Sequence, residues 1–397
     1  MNKRQDGQEG RERQNGPPSG SLRRFESLDH WRGIACLLVV VYHSTIVYLA
    51  SAPASTSSWP HAVAEFTHHF NVGVALFFVI SGYCIAAAAD NARRKNSSTG
   101  EYFIRRFRRI YPPYWIVVVF SIGLFFLVDY GWTHPLLSTE PWTQYRPWWY
   151  SPAQWFGNLT LTETWRSHLF GGIRGHFPGQ AWTLCYEEQF YFVTGMALLF
   201  ARRRFFETMA AVSVATLATS YTANAMGLAV SGFFFDGSWL LFAAGVAVFY
   251  RIHYAPPVLA RVLDTVLLLL IPASFIVRVP IYGAVVGFTF AAALPLLFRF
   301  DARVATSPAL TPLLRCGQMC YSLYLVHQIP VKGVTMWLFR SGVQSAPATL
   351  LIATPVAIAV SVTLGWGFHV LVERRFLNPK ASPLARPERP VFAKAAV

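Results

Sequence analysis

The residues of this sequence that are best suited to chemistry are ionisable side chains inside long apolar runs. Arg32 and His43 stand eleven residues apart, at the start and in the middle of the first run. Eleven residues turn a helix about 20° past three full turns, which puts both side chains on one face, roughly 16 Å apart along the axis. An imidazole near mid-membrane can exchange a proton close to neutral pH. A snorkelling arginine and a hydrogen-bonded packing histidine would show the same spacing.

Two later apolar runs also carry ionisable groups. Glu187 and Glu188 lie one to two turns into their run, and His327 lies near the middle of another, three residues before Pro330. Polar groups at bilayer depth are costly and therefore indicate function, although both carboxylates could instead stay at a wet outer rim. The estimated depths allow a cluster of His43, Glu188 and His327, if their helices are neighbours. Adjacent glutamates point about 100° apart, so one of the two at most faces a given partner.

Four arginines are concentrated in residues 105–109, just before a further apolar run. Guanidinium groups bind phosphate in a bidentate way, so the cluster could clamp a phosphate. It could equally set membrane topology and attract anionic lipid. The five cysteines are odd in number and lack CxxC spacing, so neither a disulfide framework nor a metal site is predicted.

The elements that must position these groups are predicted to be membrane-spanning helices. Of the 397 residues, 54% are hydrophobic and only 13% are charged, against roughly 25% charged in a soluble domain. This excludes a soluble fold, and the confinement of the +15 net charge to short blocks argues against a nucleic-acid partner. We predict an all-α integral membrane protein with about ten spans, placed at 33–51, 66–89, 111–129, 181–200, 208–230, 237–250, 262–277, 279–298, 316–338 and 347–371.

Lys and Arg are concentrated in alternate loops, including the loop 90–110, which predicts that both termini are cytoplasmic. We expect a disordered basic tail at 1–24, a membrane domain at 25–376 and a second cytoplasmic tail at 377–397. The connection 131–180 is predicted to lie outside, and it carries six of the 13 tryptophans. These residues suit either an interfacial aromatic belt or stacking against sugar rings.

Six motifs follow one another along the chain, at 28–35 with His43, 77–83, 106–112, 182–191, 321–330 and 372–374. In these motifs the chain resembles the acyltransferase-3 membrane acyltransferases, which include bacterial O-antigen, exopolysaccharide and Nod-factor O-acetyltransferases. Val326, Cys185 and Arg375 depart from residues common in that family. No additional esterase-like domain is expected after the spans.

The resemblance implies transfer of an acyl group, most simply acetyl, from acyl-CoA to a hydroxyl of a carbohydrate acceptor. It implies an enzyme of the bacterial inner membrane, with acetyl-CoA as donor substrate and with no permanently bound cofactor, no metal and no nucleic acid. A base tuned near neutral pH suits a hydroxyl nucleophile. The expected roles are His43 as base, Glu188 as its partner, Arg32, Arg106 and Arg109 as ligands of the CoA phosphates, and Glu187, Trp182, Tyr324 and His327 as substrate-positioning residues.

Two other classes of membrane protein could use the same residues. A transporter or flippase for a glycan or an anion could use the buried His, Glu and Arg as a proton relay and an anion path. A glycan polymerase or ligase would also use a long outer loop.

Overall fold

The computed structural model describes residues 22–53, 56–131, 147–276, 278–279 and 281–377. Every regular element in these ranges is helical, and none of them contains a strand, in agreement with the predicted all-α class. The helices are α1 (Leu28–Ser51), α2 (Trp59–Thr67), α3 (Gly73–Arg94), α4 (Thr99–Gly131), α5 (Pro152–Leu159), α6 (Glu163–Phe170), α7 (Ala181–Phe200), α8 (Phe205–Ala225), α9 (Trp239–His253), α10 (Pro257–Ile276), α11 (Ala284–Leu297), α12 (Asp301–Ala305), α13 (Thr311–Gln318), α14 (Cys320–Val326), α15 (Gln328–Arg340) and α16 (Ala346–Phe376).

Several of these helices are long and apolar enough to cross a bilayer, as expected of a multi-pass membrane protein. Within the described ranges six helical stretches meet this condition, and α9 is apolar but shorter. The helices predicted at 181–200 and 208–230 form as α7 and α8, but both carry more polar residues. The total of ten spans and the side of the termini therefore stay predictions. The six stretches are Leu28–Ser51, Trp59–Arg94, Thr99–Leu127, Pro257–Ile276, Ala284–Ala305 and Ala346–Phe376.

The stretch predicted as a single span at 316–338 forms as three consecutive helices, α13, α14 and α15. The breaks fall at Met319 and His327. Pro330 contributes to the second break, because it has no backbone N–H to donate to the carbonyl of Val326 one turn earlier.

The basic loop predicted at 90–110 is also shorter than expected. Helix α4 already begins at Thr99, and its first turn is supported by the Ser98 hydroxyl, which accepts from the backbone N–H of Glu101. An ion pair of 3.2 Å between Glu101 and Arg105 adds i,i+4 support. The arginine cluster 105–109 consequently lies on a helix, and the helical periodicity determines which of these arginines point inward.

Helices α1 and α13 cross with their backbones in direct contact. A Cβ atom at Gly33 would lie 2.1 Å from the carbonyl oxygen of Leu313, and one at Gly317 would lie 1.6 Å from that of Asp29. Neither position accepts a side chain without moving a helix. This crossing holds the first turns of α1, and therefore Arg32, in place.

Helix α3 is the centre of the bundle and packs against α1, α7, α9 and α11. One end of the bundle, which we call the basic end, is defined by Arg94, Thr99 and Phe200, where α3 ends, α4 begins and α7 ends. Arg202 ties this end together through a 2.8 Å hydrogen bond to Asn96. The other end, where α3 begins at Gly73, is the opposite end.

Candidate active site

Helices α1, α3, α4, α7 and α14 enclose a cavity of about 230 Å³. Its lining contains three arginines, Arg32, Arg106 and Arg109, and one carboxylate, that of Glu187. The structure thus brings together the three arginines that were expected to bind phosphate. Their formal charges leave this cavity, the arginine cavity, with a net charge of +2.

The three arginines differ in what already engages them. Arg32 is ion-paired with Asp29 at 2.5 Å, and its Nη2 lies 2.7 Å from the Cys84 sulfur. The Arg106 guanidinium lies over the Tyr191 ring, 5.3 Å from its centroid. Within the described part of the chain, neither Arg106 nor Arg109 has a hydrogen bond or a carboxylate partner. These two arginines keep their N–H donors available for an anionic ligand.

The carboxylate that faces the arginine cavity is Glu187 rather than Glu188. The Ser81 hydroxyl donates to one oxygen of Glu187 at 2.7 Å, and the Tyr191 hydroxyl donates to the other at 3.0 Å. Two donors from two helices therefore hold Glu187 in one orientation. The residue had been expected only to position substrate, and here it is the acidic group of the cavity wall.

Glu188 lies on the other side of α7 and does not pair with His43, contrary to expectation. Its carboxylate accepts from the Tyr111 hydroxyl at 3.2 Å and faces a second cavity of about 400 Å³. That cavity is lined mainly by aromatic side chains and shares Arg106 with the first. The cause is the 100° separation of adjacent helical residues, since only one of the two glutamates can face the arginine cavity.

His43 and His327 lie side by side, with ring centroids 5.3 Å apart. His327 Nδ1 lies 2.7 Å from the carbonyl oxygen of Tyr324, and its Nε2 is buried without a partner. His43 Nε2 lies 3.4 Å from the side-chain nitrogen of Gln328, and its Nδ1 is buried without a partner. Gln328 was not identified from the sequence, although it directly follows His327.

A line of aromatic rings joins the arginine cavity to the opposite end of the bundle. Tyr324 stands between the two regions: it lines the arginine cavity, and its ring centroid is 5.7 Å from that of His327. Its hydroxyl donates to the backbone carbonyl of Gln180 at 2.7 Å. Beyond His43 the line continues through Tyr42, at 4.7 Å, to His68, at 5.0 Å from Tyr42, and His68 is exposed. Trp182 is half-buried and packs edge-on against Tyr186, away from this line.

Part of the predicted outer loop packs deep against α4. Residues 132–146 of the loop lie outside the described residues, and α5 and α6 form in the remainder. Aromatic side chains of α4 donate to backbone carbonyls of this segment. These bonds run from Tyr111 to Thr160 at 3.2 Å, from Tyr114 to Asn158 at 3.0 Å and to Phe177 at 3.2 Å, and from Trp115 to Leu159 at 3.0 Å.

The part of the predicted outer loop that follows residue 147 also contains a buried ion pair. Arg166 and Glu163 are 2.7 Å apart, with 5% and 0% of their side chains exposed. Burial and, to a smaller extent, the positive charges of Arg174 and Arg166 lower the pKa of the nearby His176 to about 4. His176 is therefore neutral at pH 7. The described residues contain no group of three or more His, Cys, Asp or Glu side chains that could hold a metal ion.

Comparisons with known proteins identify the family. The acyltransferase domain that defines the acyltransferase-3 family matches residues 25–366. The peptidoglycan O-acetyltransferase OatA of Listeria monocytogenes is 29% identical over 186 residues, which cover 45% of this chain and 25% of that protein. The match thus spans about a quarter of the length of that relative. No solved structure matches the chain. The chain belongs to the acyltransferase-3 family, and the protein is a multi-pass membrane acyltransferase.

Proposed function

We propose that this acyltransferase moves an acyl group, most simply acetyl, from acyl-CoA to a hydroxyl of a carbohydrate acceptor. The observation that carries the proposal is the junction at Tyr324, where the arginine cavity meets the His43–His327 pair. The cavity suits a phosphate-bearing donor, and the histidines suit activation of a hydroxyl. Family membership favours this reaction over a transporter or a glycan polymerase.

Acyl-CoA would bind with its phosphates on the arginines and its thioester toward Tyr324. Arg106 and Arg109 would make the main contacts, because their N–H donors have no partner within the described residues. Arg32 would contribute through the donors left free by Asp29. In this proposal acyl-CoA is a substrate, and the enzyme has no resident cofactor.

The acceptor would approach from the opposite end, along the ring line that begins at the exposed His68. Its hydroxyl oxygen attacks the thioester carbonyl carbon, and an imidazole nitrogen of the His43–His327 pair takes the hydroxyl proton. The C–S bond breaks, and the CoA thiolate leaves toward the arginines and takes up that proton. An ester and free CoA result.

This arrangement fits a bacterial inner membrane with the basic end and both termini in the cytoplasm, where acyl-CoA is made. The carbohydrate would then be modified from the outer side. The name of the relative OatA makes a peptidoglycan-type glycan the first acceptor to test.

The test is acyl transfer by the purified protein in detergent, with radiolabelled acetyl-CoA and a panel of glycans that includes peptidoglycan fragments. We expect CoA release that depends on an acceptor, with label in the glycan, and loss of both in His43→Ala. Removing a positioned acid or base typically costs 10²–10⁴-fold. The proposal fails if the folded wild-type protein transfers no label to any carbohydrate.

A further inference from the structure

We propose that the acceptor hydroxyl binds between the two histidines, and that His327, rather than His43, takes its proton. This inference rests on the proposed function and assigns the roles within it. It changes the expectation from the sequence, in which His43 was the base and His327 positioned substrate. The geometry of four ring nitrogens, one backbone carbonyl and one side-chain amide carries the assignment.

The tautomer of His327 is set by the backbone. A carbonyl oxygen can only accept a hydrogen bond, so the 2.7 Å contact with Tyr324 places the proton on Nδ1. The lone pair is then on Nε2. That nitrogen is buried and unpartnered, in a side chain belonging to a residue only 1% exposed. A buried acceptor without a donor is a position for a ligand O–H group.

The tautomer of His43 is complementary. The Gln328 amide donates to His43 Nε2 at 3.4 Å, so the proton of the neutral ring is on Nδ1. Nδ1 is likewise buried and unpartnered. The two rings therefore offer one free acceptor and one free donor, with centroids 5.3 Å apart. A hydroxyl bound between these two nitrogens would donate to His327 Nε2 and accept from His43 Nδ1–H at ordinary hydrogen-bond distances.

The assignment gives each histidine a separate role: His43 orients the hydroxyl, and His327 takes and returns the proton. The hydroxyl donates to His327 Nε2, while its oxygen accepts from His43 Nδ1–H and is thereby oriented. As the new C–O bond forms, the O–H bond breaks and His327 becomes an imidazolium, with Nδ1–H still held by the Tyr324 carbonyl. When the C–S bond breaks, the thiolate takes the proton from Nε2, which yields the CoA thiol and neutral His327.

Asparagine substitutions separate the two roles, because the asparagine amide occupies the position of Nδ1 and leaves nothing at Nε2. His327→Asn can still donate to Tyr324 but has no base. His43→Asn keeps the donor at the Nδ1 position. We expect His327→Asn to lower kcat by 10²–10⁴-fold, with KM for acyl-CoA within threefold of wild type. We expect His43→Asn to lose less than about tenfold in kcat, and His43→Ala to lose about 10²-fold or more, as when the group that orients a reacting atom is removed.

The matched control is His253→Asn, since His253 contacts Tyr83 away from the cavity, and its kcat should stay within threefold. Thermal unfolding and acyl-CoA affinity of each variant report folding. If His327→Asn does not fold, His327→Gln, which places an amide near the Nε2 position, should show the same loss of kcat. The assignment is overturned if His43→Asn lowers kcat as much as His327→Asn does. It is also overturned if His327→Asn keeps more than a tenth of the wild-type kcat. An inactive wild-type protein would instead refute the proposed function.

Discussion

Removing the Arg109 guanidinium should weaken acyl-CoA binding about tenfold. Arg109 lines the arginine cavity, is exposed, and has no carboxylate partner within the described residues. A hydrogen bond to a charged group is worth about 1.5–3 kcal/mol. Because water screens an exposed contact, the lower value applies, and about 1.4 kcal/mol corresponds to one decade in affinity. Arg109→Ala should therefore raise the Kd for acetyl-CoA by about one decade.

Arg108→Ala is the matched control, because Arg108 is the neighbouring exposed arginine of the same helix and lines neither cavity. It removes the same charge, and we expect its effect on Kd to be less than about threefold. The binding assay is run with purified protein in detergent. A second ligand, acetyl-pantetheine, carries the thioester without any phosphate. Arg109→Ala should leave the affinity for that ligand unchanged.

Two results would refute the phosphate assignment. Equal weakening by Arg108→Ala and Arg109→Ala would mean that the helix acts only through its general positive potential. Equal weakening of acetyl-CoA and acetyl-pantetheine binding by Arg109→Ala would mean that the guanidinium does not contact phosphate.

Three further predictions concern the frame around the site. Gly33→Ala should destabilise the protein by about 1–3 kcal/mol or prevent folding, because its Cβ meets a backbone carbonyl at 2.1 Å. Gly333→Ala, which meets nothing within 4 Å, should leave the thermal unfolding midpoint unchanged or higher. Lowering the pH from about 6.5 toward 4 should destabilise the protein, because the depressed pKa of His176 means that unfolding takes up a proton in this window. The part of the fall in the thermal unfolding midpoint that His176 causes at low pH should be absent in His176→Leu. If that variant has the same pH dependence as the wild type, His176 is not the cause. In intact cells, a cysteine that replaces Ser57, near the opposite end, should react with a membrane-impermeant thiol reagent. A cysteine that replaces Ser98, at the basic end, should not react. The reverse pattern would overturn the proposed orientation.

The three arginines of the cavity were expected from the resemblance to the acyltransferase-3 family, and helical geometry is consistent with that expectation. Arg106 and Arg109 are three residues apart and share a helix face, and Arg32 precedes His43 by three turns. Local periodicity is enough to show that such groups point the same way.

The choice between Glu187 and Glu188 was not predictable, because it depends on how α7 is rotated against α3 and α4. Ser81 and Tyr111 decide it by donating to one glutamate each, and both belong to other helices. The pairing of His43 with Gln328 also joins residues far apart in the chain. Contacts of this kind follow from tertiary packing, on which one sequence carries little information.

The hydrogen bonds that hold the segment after residue 147 have a consequence for how the protein can change. The donors are side chains of α4, namely Tyr111, Tyr114 and Trp115, and the acceptors are backbone carbonyls that every amino acid possesses. These hydrogen bonds therefore depend on the backbone path of the segment and not on the identity of the side chains at the accepting residues. Substitutions at exposed positions of the segment can accumulate without loosening its attachment to α4, whereas Asn158 and the Arg166–Glu163 pair are buried and hydrogen-bonded. Acceptor preference could diverge among descendants of this protein at little cost in stability. Substitution of any of the three donors, in contrast, would directly weaken the attachment of the segment to α4.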